Sequence, residues 1–280
     1  KSKGYLVMTD VNTKNEIIKR NIPFSPPDIS ELEIAEVSEA LRSGWITTGP
    51  RTKELERRLA EYCYTSKVVC LNSEELNLRI CGIGEGDEVI VPAYTYTATA
   101  AAAIHCGAKV IFVDSQKDST EMDYEKVAEA ITEKTKVVII PFPNNPTGAI
   151  MTREELAPLV EVLKDKDVIV ISDEIYAELS YDKPHVSIAS FPEIKDKTLV
   201  INGFSKSYAM TGWRLGYVCG HHILLDAMKK IHQYAIMCSP TTAQFAAIEA
   251  LKNGDESVSK MVKEYNRRRR VLVDGFRKLG

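Results

Sequence analysis

NGFSKSYAMTGWRLGY, residues 202–217, decides how this chain is read. It follows a β-branched run and sets an amine, Lys206, beside a hydroxyl, Ser205, with the guanidinium of Arg214 eight residues on. Standing alone, Lys206 is a solvated surface lysine, because a lysine becomes an imine-forming nucleophile only when neighbours desolvate it or lower its pKa. Its meaning depends on which side chains the rest of the chain brings near it.

Two upstream segments supply candidates. VIVISDEIY, residues 168–176, is an apolar run of strand length that ends on Asp173, with Tyr176 three residues later. VVIIPFPNNPTG, residues 137–148, is a second strand running into a turn of Asn, Pro and Gly. In an open parallel sheet, ligands bind at the carboxyl ends of strands, so Asp173 and Asn145 fall where function is expected. Each also has a plainer explanation: Asp173 as a helix N-cap, and the Asn-Pro turn as ordinary turn chemistry.

Outward from these segments, apolar runs alternate with helical patterns. KVVCL, DEVIVP, KVIFVD, KVVIIP, VIVIS, TLVING and the stretch from Arg214 to Cys219 predict strands. Ser30 to Leu41 predicts a helix opened by a Ser30/Glu33 capping box, and Thr152 to Leu163 another opened by Thr152 and Glu155. Further helices are expected over Thr97 to His105, Tyr124 to Ile131 and Asp255 to Lys278. This order predicts an α/β fold, a three-layer sandwich whose mostly parallel central sheet is covered on both faces.

Composition narrows the function classes. With 280 residues, 44% of them hydrophobic, the chain can bury a large core. A net charge of −3 argues against nucleic-acid or anionic-membrane partners. The basic run Arg267 to Arg270 reads as a solvated helix face. Six cysteines show no C-x-x-C pair, which predicts reduced thiols and a cytoplasmic protein without a metal centre. His221 and His222 are taken as helix neighbours that point apart. No apolar stretch reaches membrane-spanning length and no signal peptide is visible, although the chain opens on Lys1 and its start is taken as incomplete.

Taken together, the candidate side chains match one cofactor. Pyridoxal 5'-phosphate needs a lysine for its aldehyde, an acid at its ring nitrogen, donors at its phenolic oxygen and cationic or hydroxyl groups at its phosphate. Asp173 suits the ring nitrogen, because an adjacent negative charge favours the protonated pyridinium. Asn145 and Tyr176 can donate to the phenolic oxygen. Arg214 offers a planar fork matched to phosphate, and Ser205 adds a hydroxyl.

PNNPTG, SDEIY and the segment from Ser205-Lys206 to Arg214 occur in the order and spacing of a known family. From about Val137 to Gly280 the chain resembles the class I/II aminotransferases of the fold-type I pyridoxal-phosphate enzymes. The resemblance implies Lys206 as the catalytic lysine of the internal aldimine, Asp173 at the ring nitrogen, Asn145 and Tyr176 at the phenolic oxygen, and Ser205 and Arg214 at the phosphate. Residues 22–62 and GIGEGDEVIVPAYTYTATAAAAIHCGAKVIFVD are similar to the DegT-like sugar-nucleotide aminotransferases, with the change of resemblance near residues 136–143. In either branch an aromatic ring covers the cofactor's face, a place that Tyr96 occupies, with Tyr94 the neighbour most easily confused with it. Stacking of that kind adds about 1 kcal/mol beyond area burial. After Ser73, the expected phosphate contact, about four small residues of the family loop are missing, roughly one helical turn.

The resemblance further implies a division into an N-terminal arm and first helix (1–50), a cofactor-binding large domain (51–254) and an interdomain helix (255–280) leading to a small domain that is absent. It also implies a homodimer whose site Trp45 to Thr48 of a second copy complete. The expected activity is transfer of an amino group between an amino acid and a keto acid. Three alternatives stand beside it: a sugar-nucleotide aminotransferase, a pyridoxal-phosphate-dependent carbon–sulfur β-lyase, and a non-catalytic or chimeric protein of the same fold.

Overall fold

The computed structural model describes residues 6–11, 17–22, 29–44, 49–71 and 81–279. Strands β1 (Leu6–Val11) and β2 (Ile17–Ile22) form a separate antiparallel ribbon, with Leu6 opposite Ile22. The main sheet holds β3 (Val68–Leu71), β4 (Glu88–Pro92), β5 (Lys109–Val113), β6 (Thr135–Ile140), β7 (Ile169–Asp173), β8 (Thr198–Gly203) and β9 (Gly216–Cys219). Their order across the sheet is β3-β9-β8-β7-β6-β4-β5. Strand β9 runs antiparallel to β3 and β8, and every other neighbouring pair is parallel. The expected mostly parallel sheet is present.

The strands read as continuous apolar runs because both faces of the sheet are covered. Successive side chains in a strand point to opposite faces, and the burial follows that alternation. Val89 and Val91 of β4 join Val137 and Ile139 of β6 on one face, packed with Ala103, Leu225 and Met228. Ile90, Val138 and Ile140 join the other, packed with Val127, Leu156, Leu159 and Leu163. The first face is covered by α3 (Thr97–His105) and α7 (His222–Ala235), the second by α4 (Tyr124–Ala130) and α5 (Arg153–Leu163). A third cluster packs α2 (Pro50–Tyr62) and α8 (Thr241–Asn253) on Val68, Cys70, Tyr217 and Cys219 through Leu55, Leu59 and Ala247. Each fully buried leucine here contributes about 2 kcal/mol over exposure.

Local sequence sets the helix ends. Helix α1 (Glu31–Arg42) is capped by Ser30, whose Oγ accepts the Leu32 N–H at 3.2 Å while Glu33 accepts the Ser30 N–H at 2.8 Å. Thr152 and Glu155 make the same reciprocal pair at the start of α5. The carboxyl end of α5 is closed from a distance, by Lys197 Nζ donating to the carbonyls of Leu163, Lys164 and Lys166 at 2.6, 3.0 and 2.6 Å. Helix α9 (Asp255–Arg277) is the last helix among the described residues.

Two sequence expectations are corrected. His221 and His222 do not point apart: their ring centroids lie 4.3 Å from each other, because His221 is the extended N-cap of α7 and not a residue within it. The arginine run is not a uniformly solvated face. Arg267 and Arg268 pair with Glu264 on the surface, but Arg269 reaches Asp182 at 2.9 Å and covers the Tyr181 ring at 5.2 Å.

Candidate active site

The strand order reverses beside β4, since β5 lies on one side of it and β6 on the other. Such a reversal leaves a crevice at the carboxyl ends of the strands where connections diverge. A cleft of about 620 Å³ opens there, lined from the β4–α3 connection by Tyr96, from the turn after β6 by Asn145, from β7 by Asp173 and from the segment after β8 by Lys206.

Lysine presentation depends on a close backbone crossing. Gly203 ends β8 opposite Gly216 of β9, and a Cβ on Gly203 would lie 3.0 Å from both Gly216 Cα and the Leu215 carbonyl. The chain turns there into the short helix α6 (Phe204–Ser207). Phe204 is fully buried and packs its ring on Tyr208 at 5.3 Å and on Tyr217 at 5.9 Å, which anchors the turn that carries Lys206. Ala209 and Arg214 both adopt left-handed backbone, with φ of 54° and 53°. Non-glycine residues pay roughly 1 kcal/mol there. Met210 N–H to Phe204 O at 3.2 Å, Thr211 Oγ1 to Ser205 O at 2.9 Å and Arg214 Nη1 to Thr211 O at 2.8 Å hold the loop in shape. Ser205, Lys206 and Arg214 thereby share one wall of the cleft.

The opposite contributions come from β6 and β7. Asn144 is buried and structural: its side-chain nitrogen donates to the Tyr94 carbonyl at 3.2 Å, and its oxygen accepts from Thr147 Oγ1 at 3.0 Å. That leaves Asn145 to line the cleft. Asp173 lines the cavity, and its Oδ1 accepts the Ile175 N–H at 3.2 Å in a local turn; it does not cap a helix, because the short helical turn that follows is entered from Tyr176. Tyr176 lies across from the lysine, with Lys206 Nζ 5.4 Å from its ring centroid.

Tyr96 and Tyr94 are now distinguished. Tyr96 is the N-cap of α3 and lines the cleft, more than half exposed, whereas Tyr94 is not among the lining residues and gives its carbonyl to Asn144. Behind the lysine, Tyr62 donates to Glu178 at 2.9 Å, and burial together with that carboxylate raises its pKa. Burial, helped by the charges of Asp255 and Glu178, lifts Tyr208 to about 12. Ser73 and Trp45 to Thr48 lie outside the described residues.

Polar groups not singled out from the sequence join the same surface. Thr95 and Thr99, whose hydroxyls are 3.3 Å apart, line the cleft, as do Asn202 and Thr211. The four-residue spacing of the two threonines around a helix start is the signal that could have marked them. None of the six cysteines is joined in a disulfide, and Cys70 and Cys219 are buried. No helix among the described residues is long and apolar enough to cross a membrane.

An amine, an acid, a phenol, an amide and a guanidinium converge on a cleft at the switch point of a mostly parallel sheet, the place where α/β proteins of this architecture bind ligands. The family described as aminotransferase class I and II matches residues 28–280, and the chain belongs to it. The matched stretch takes in residues 28–136, where the expectation from the sequence is the sugar-nucleotide branch. YugH of Bacillus subtilis is 47% identical over 213 residues, covering 74% of this chain and 54% of that protein. An aspartate aminotransferase of Geobacillus stearothermophilus is 38% identical over 212 residues, covering 74% of this chain and 54% of its own length. The chain thus spans about half the length of the curated relatives it matches. Among solved structures, the aromatic aminotransferase from Pyrococcus horikoshii superposes with a TM-score of 0.83 at 32% identity, covering 90% of this chain and 73% of that one. Members of the family use pyridoxal phosphate.

Proposed function

We propose that this chain is the cofactor-binding part of a pyridoxal-phosphate-dependent aminotransferase that moves an amino group between an amino acid and a keto acid. The observation that carries the reading is the convergence of Lys206, Asp173, Asn145, Tyr176 and Arg214 on one cleft. Their chemistry fits the group point by point. Lys206 would hold its aldehyde carbon, Asp173 its protonated ring nitrogen, Asn145 and Tyr176 its phenolic oxygen, and Arg214 with Ser205 its phosphate. Tyr96 would cover the ring and exclude water.

When bound, pyridoxal phosphate supplies the electron sink that acidifies a substrate's α-proton. Asp173 maintains that sink by keeping a proton on the ring nitrogen. Lys206 Nζ would take a substrate's α-proton and later return it, acting as base and then acid. Arg214 contributes a charge-assisted fork that fixes orientation.

The division into arm, large domain (51–254) and interdomain helix (255–280), the homodimer and the cytoplasmic setting belong to the same proposal. Family membership and the free cysteines support them. The likeness of residues 22–136 to sugar-nucleotide enzymes supports keto sugars as a second class of acceptor; amino acids with keto acids are favoured because the lysine segment is of the class I/II type. The test is amino transfer from a panel of amino acids to 2-oxo acids, compared between the chain and Lys206→Ala. Wild-type transfer that the variant lacks supports the reading, and a fully active Lys206→Ala refutes it. Pyruvate and ammonia released without an acceptor would point to the lyase instead.

A further inference from the structure

The carboxylate next to Asp173 is buried and faces away from the cleft. Glu174 is 4% exposed and does not line the cavity, whereas its neighbours Asp173, Ile175 and Tyr176 do. Its Oε1 accepts from Ser172 Oγ at 2.9 Å and from Ser187 Oγ at 2.6 Å, and its Oε2 lies 2.8 Å from His185 Nε2. The serine and the histidine both meet the carboxylate, so they do not form a nucleophile–base pair with each other, and a hydrolytic triad is not what this cluster builds. A buried carboxylate is costly unless such partners surround it, and the proposed mechanism makes no use of this one.

From this arrangement we infer that Glu174 is a positioning residue for Asp173 and Tyr176; the inference rests on the cofactor reading above. Its backbone N–H donates to Ile201 O of β8 at 2.9 Å and its carbonyl accepts the Ala177 N–H at 2.9 Å, so the side chain pins the point where β7 gives way to the tyrosine turn. Adjacent residues of an extended strand point to opposite sides. Anchoring Glu174 inward therefore turns Asp173 toward the cleft. Two residues beyond Tyr176, Glu178 takes the hydroxyl of Tyr62 from α2 at 2.9 Å. The Tyr176 turn is thus held from both ends by carboxylates that never enter the cavity. Its two bonds to Ser187 and His185 also close the 11- to 13-residue connection that follows onto the same point.

The test compares the wild-type chain with Glu174→Gln and with Ser187→Ala, which removes one donor and leaves the carboxylate. Cofactor affinity and the visible circular dichroism per bound pyridoxal phosphate are measured alongside thermal unfolding. Glu174→Gln is expected to bind about tenfold more weakly, the low end of what losing a supporting partner costs, with a reduced dichroic band because the ring is held less firmly. Ser187→Ala should move both readouts in the same direction by a smaller factor. A variant that only lowers the unfolding temperature, with affinity and dichroism per bound cofactor at wild-type values, overturns the positioning role while leaving the functional reading intact. If Glu174→Gln does not fold, Ser187→Ala decides by the same criterion. A wild-type chain that takes up no cofactor removes the functional reading and this role together.

Discussion

Lys206 Nζ sits 5.4 Å from the centre of the Tyr176 ring, although the two residues leave different strands thirty positions apart. They meet because β7 and β8 are parallel neighbours, with Asp173 in register with Ile201. An ammonium over an aromatic face at this distance contributes about 0.5–1 kcal/mol when partly exposed. The ring thus directs the amine, and the same residue carries the phenol proposed to donate to the cofactor. Tyr176→Phe keeps the ring and loses the donor, so it should retain cofactor attachment to Lys206 while shifting the visible absorption maximum. Borohydride fixation followed by peptide mass spectrometry checks the attachment, and absorbance checks the shift. An unchanged spectrum would remove Tyr176 from the phenolic oxygen.

Arg214 and Ser205 share the wall assigned to the phosphate, and the guanidinium is steered by its own bond to Thr211 O at 2.8 Å. Losing a charge-assisted hydrogen bond costs about 1.5–3 kcal/mol. Arg214→Ala should therefore weaken pyridoxal phosphate binding by roughly 10- to 100-fold, while binding of unphosphorylated pyridoxal stays near its wild-type level. Equal losses for both compounds in a binding titration would mean that the arginine does not serve the phosphate.

A side chain at Gly203 would press on the neighbouring backbone, since the atoms 3.0 Å from its would-be Cβ belong to the main chain of Leu215 and Gly216. Gly203→Ala should destabilise the fold by about 1–3 kcal/mol, as overpacking does, and should displace Lys206 with α6. Gly212 has nothing within 4 Å of its would-be Cβ, so Gly212→Ala is the control expected to unfold close to wild type. Denaturant midpoints measure the contrast, and similar midpoints for the two variants would contradict the crossing described here.

Tyr208 is expected to govern part of the alkaline stability. Burial comes first among the causes that raise it from 10.0 to about 12, followed by the negative charges of Asp255 and Glu178. A raised value means that the folded chain holds the phenolic proton after the unfolded chain has released it. The contribution is complete below about pH 10 and is lost as pH rises toward 12. Tyr208→Phe should flatten the fall in stability across that window when unfolding is followed at a series of pH values. An identical slope in the variant would show that the phenol is not linked to folding.

Lys197 closes the end of α5 with three carbonyl bonds, and desolvation lowers its pKa despite the attraction of Asp165 and Asp167. Lys197→Met preserves the aliphatic stem and removes the donors. A loss of about 1 kcal/mol is expected, the usual size of such a hydrogen-bonded contribution, with faster amide exchange confined to the carboxyl end of α5. Exchange unchanged there would mean that solvent satisfies these carbonyls equally well.

Elements that depend on neighbours within a turn were legible in advance. The capping boxes of Ser30 and Thr152 appear with their reciprocal bonds, and every strand expected from an apolar run is present. The approach of His221 to His222 departs from the expected helical spacing because His221 lies before the helix and caps it, its ring accepting the Ile223 N–H at 3.4 Å. The docking of Arg269 escaped notice because Asp182 is 87 residues away.

By itself, the order of residues determined the alternation of strands and helices and the set of chemical groups available, because hydrophobic periodicity, caps and turn residues act over a few positions. The family resemblance already named Asn145 and Tyr96; only the tertiary structure decided that Asn144 is tied away to the Tyr94 carbonyl while Asn145 lines the cleft, and that Glu174 turns inward behind Asp173. Those choices between adjacent residues follow from which direction each side chain takes once distant strands have paired, a matter of long-range closure to which a local pattern is blind.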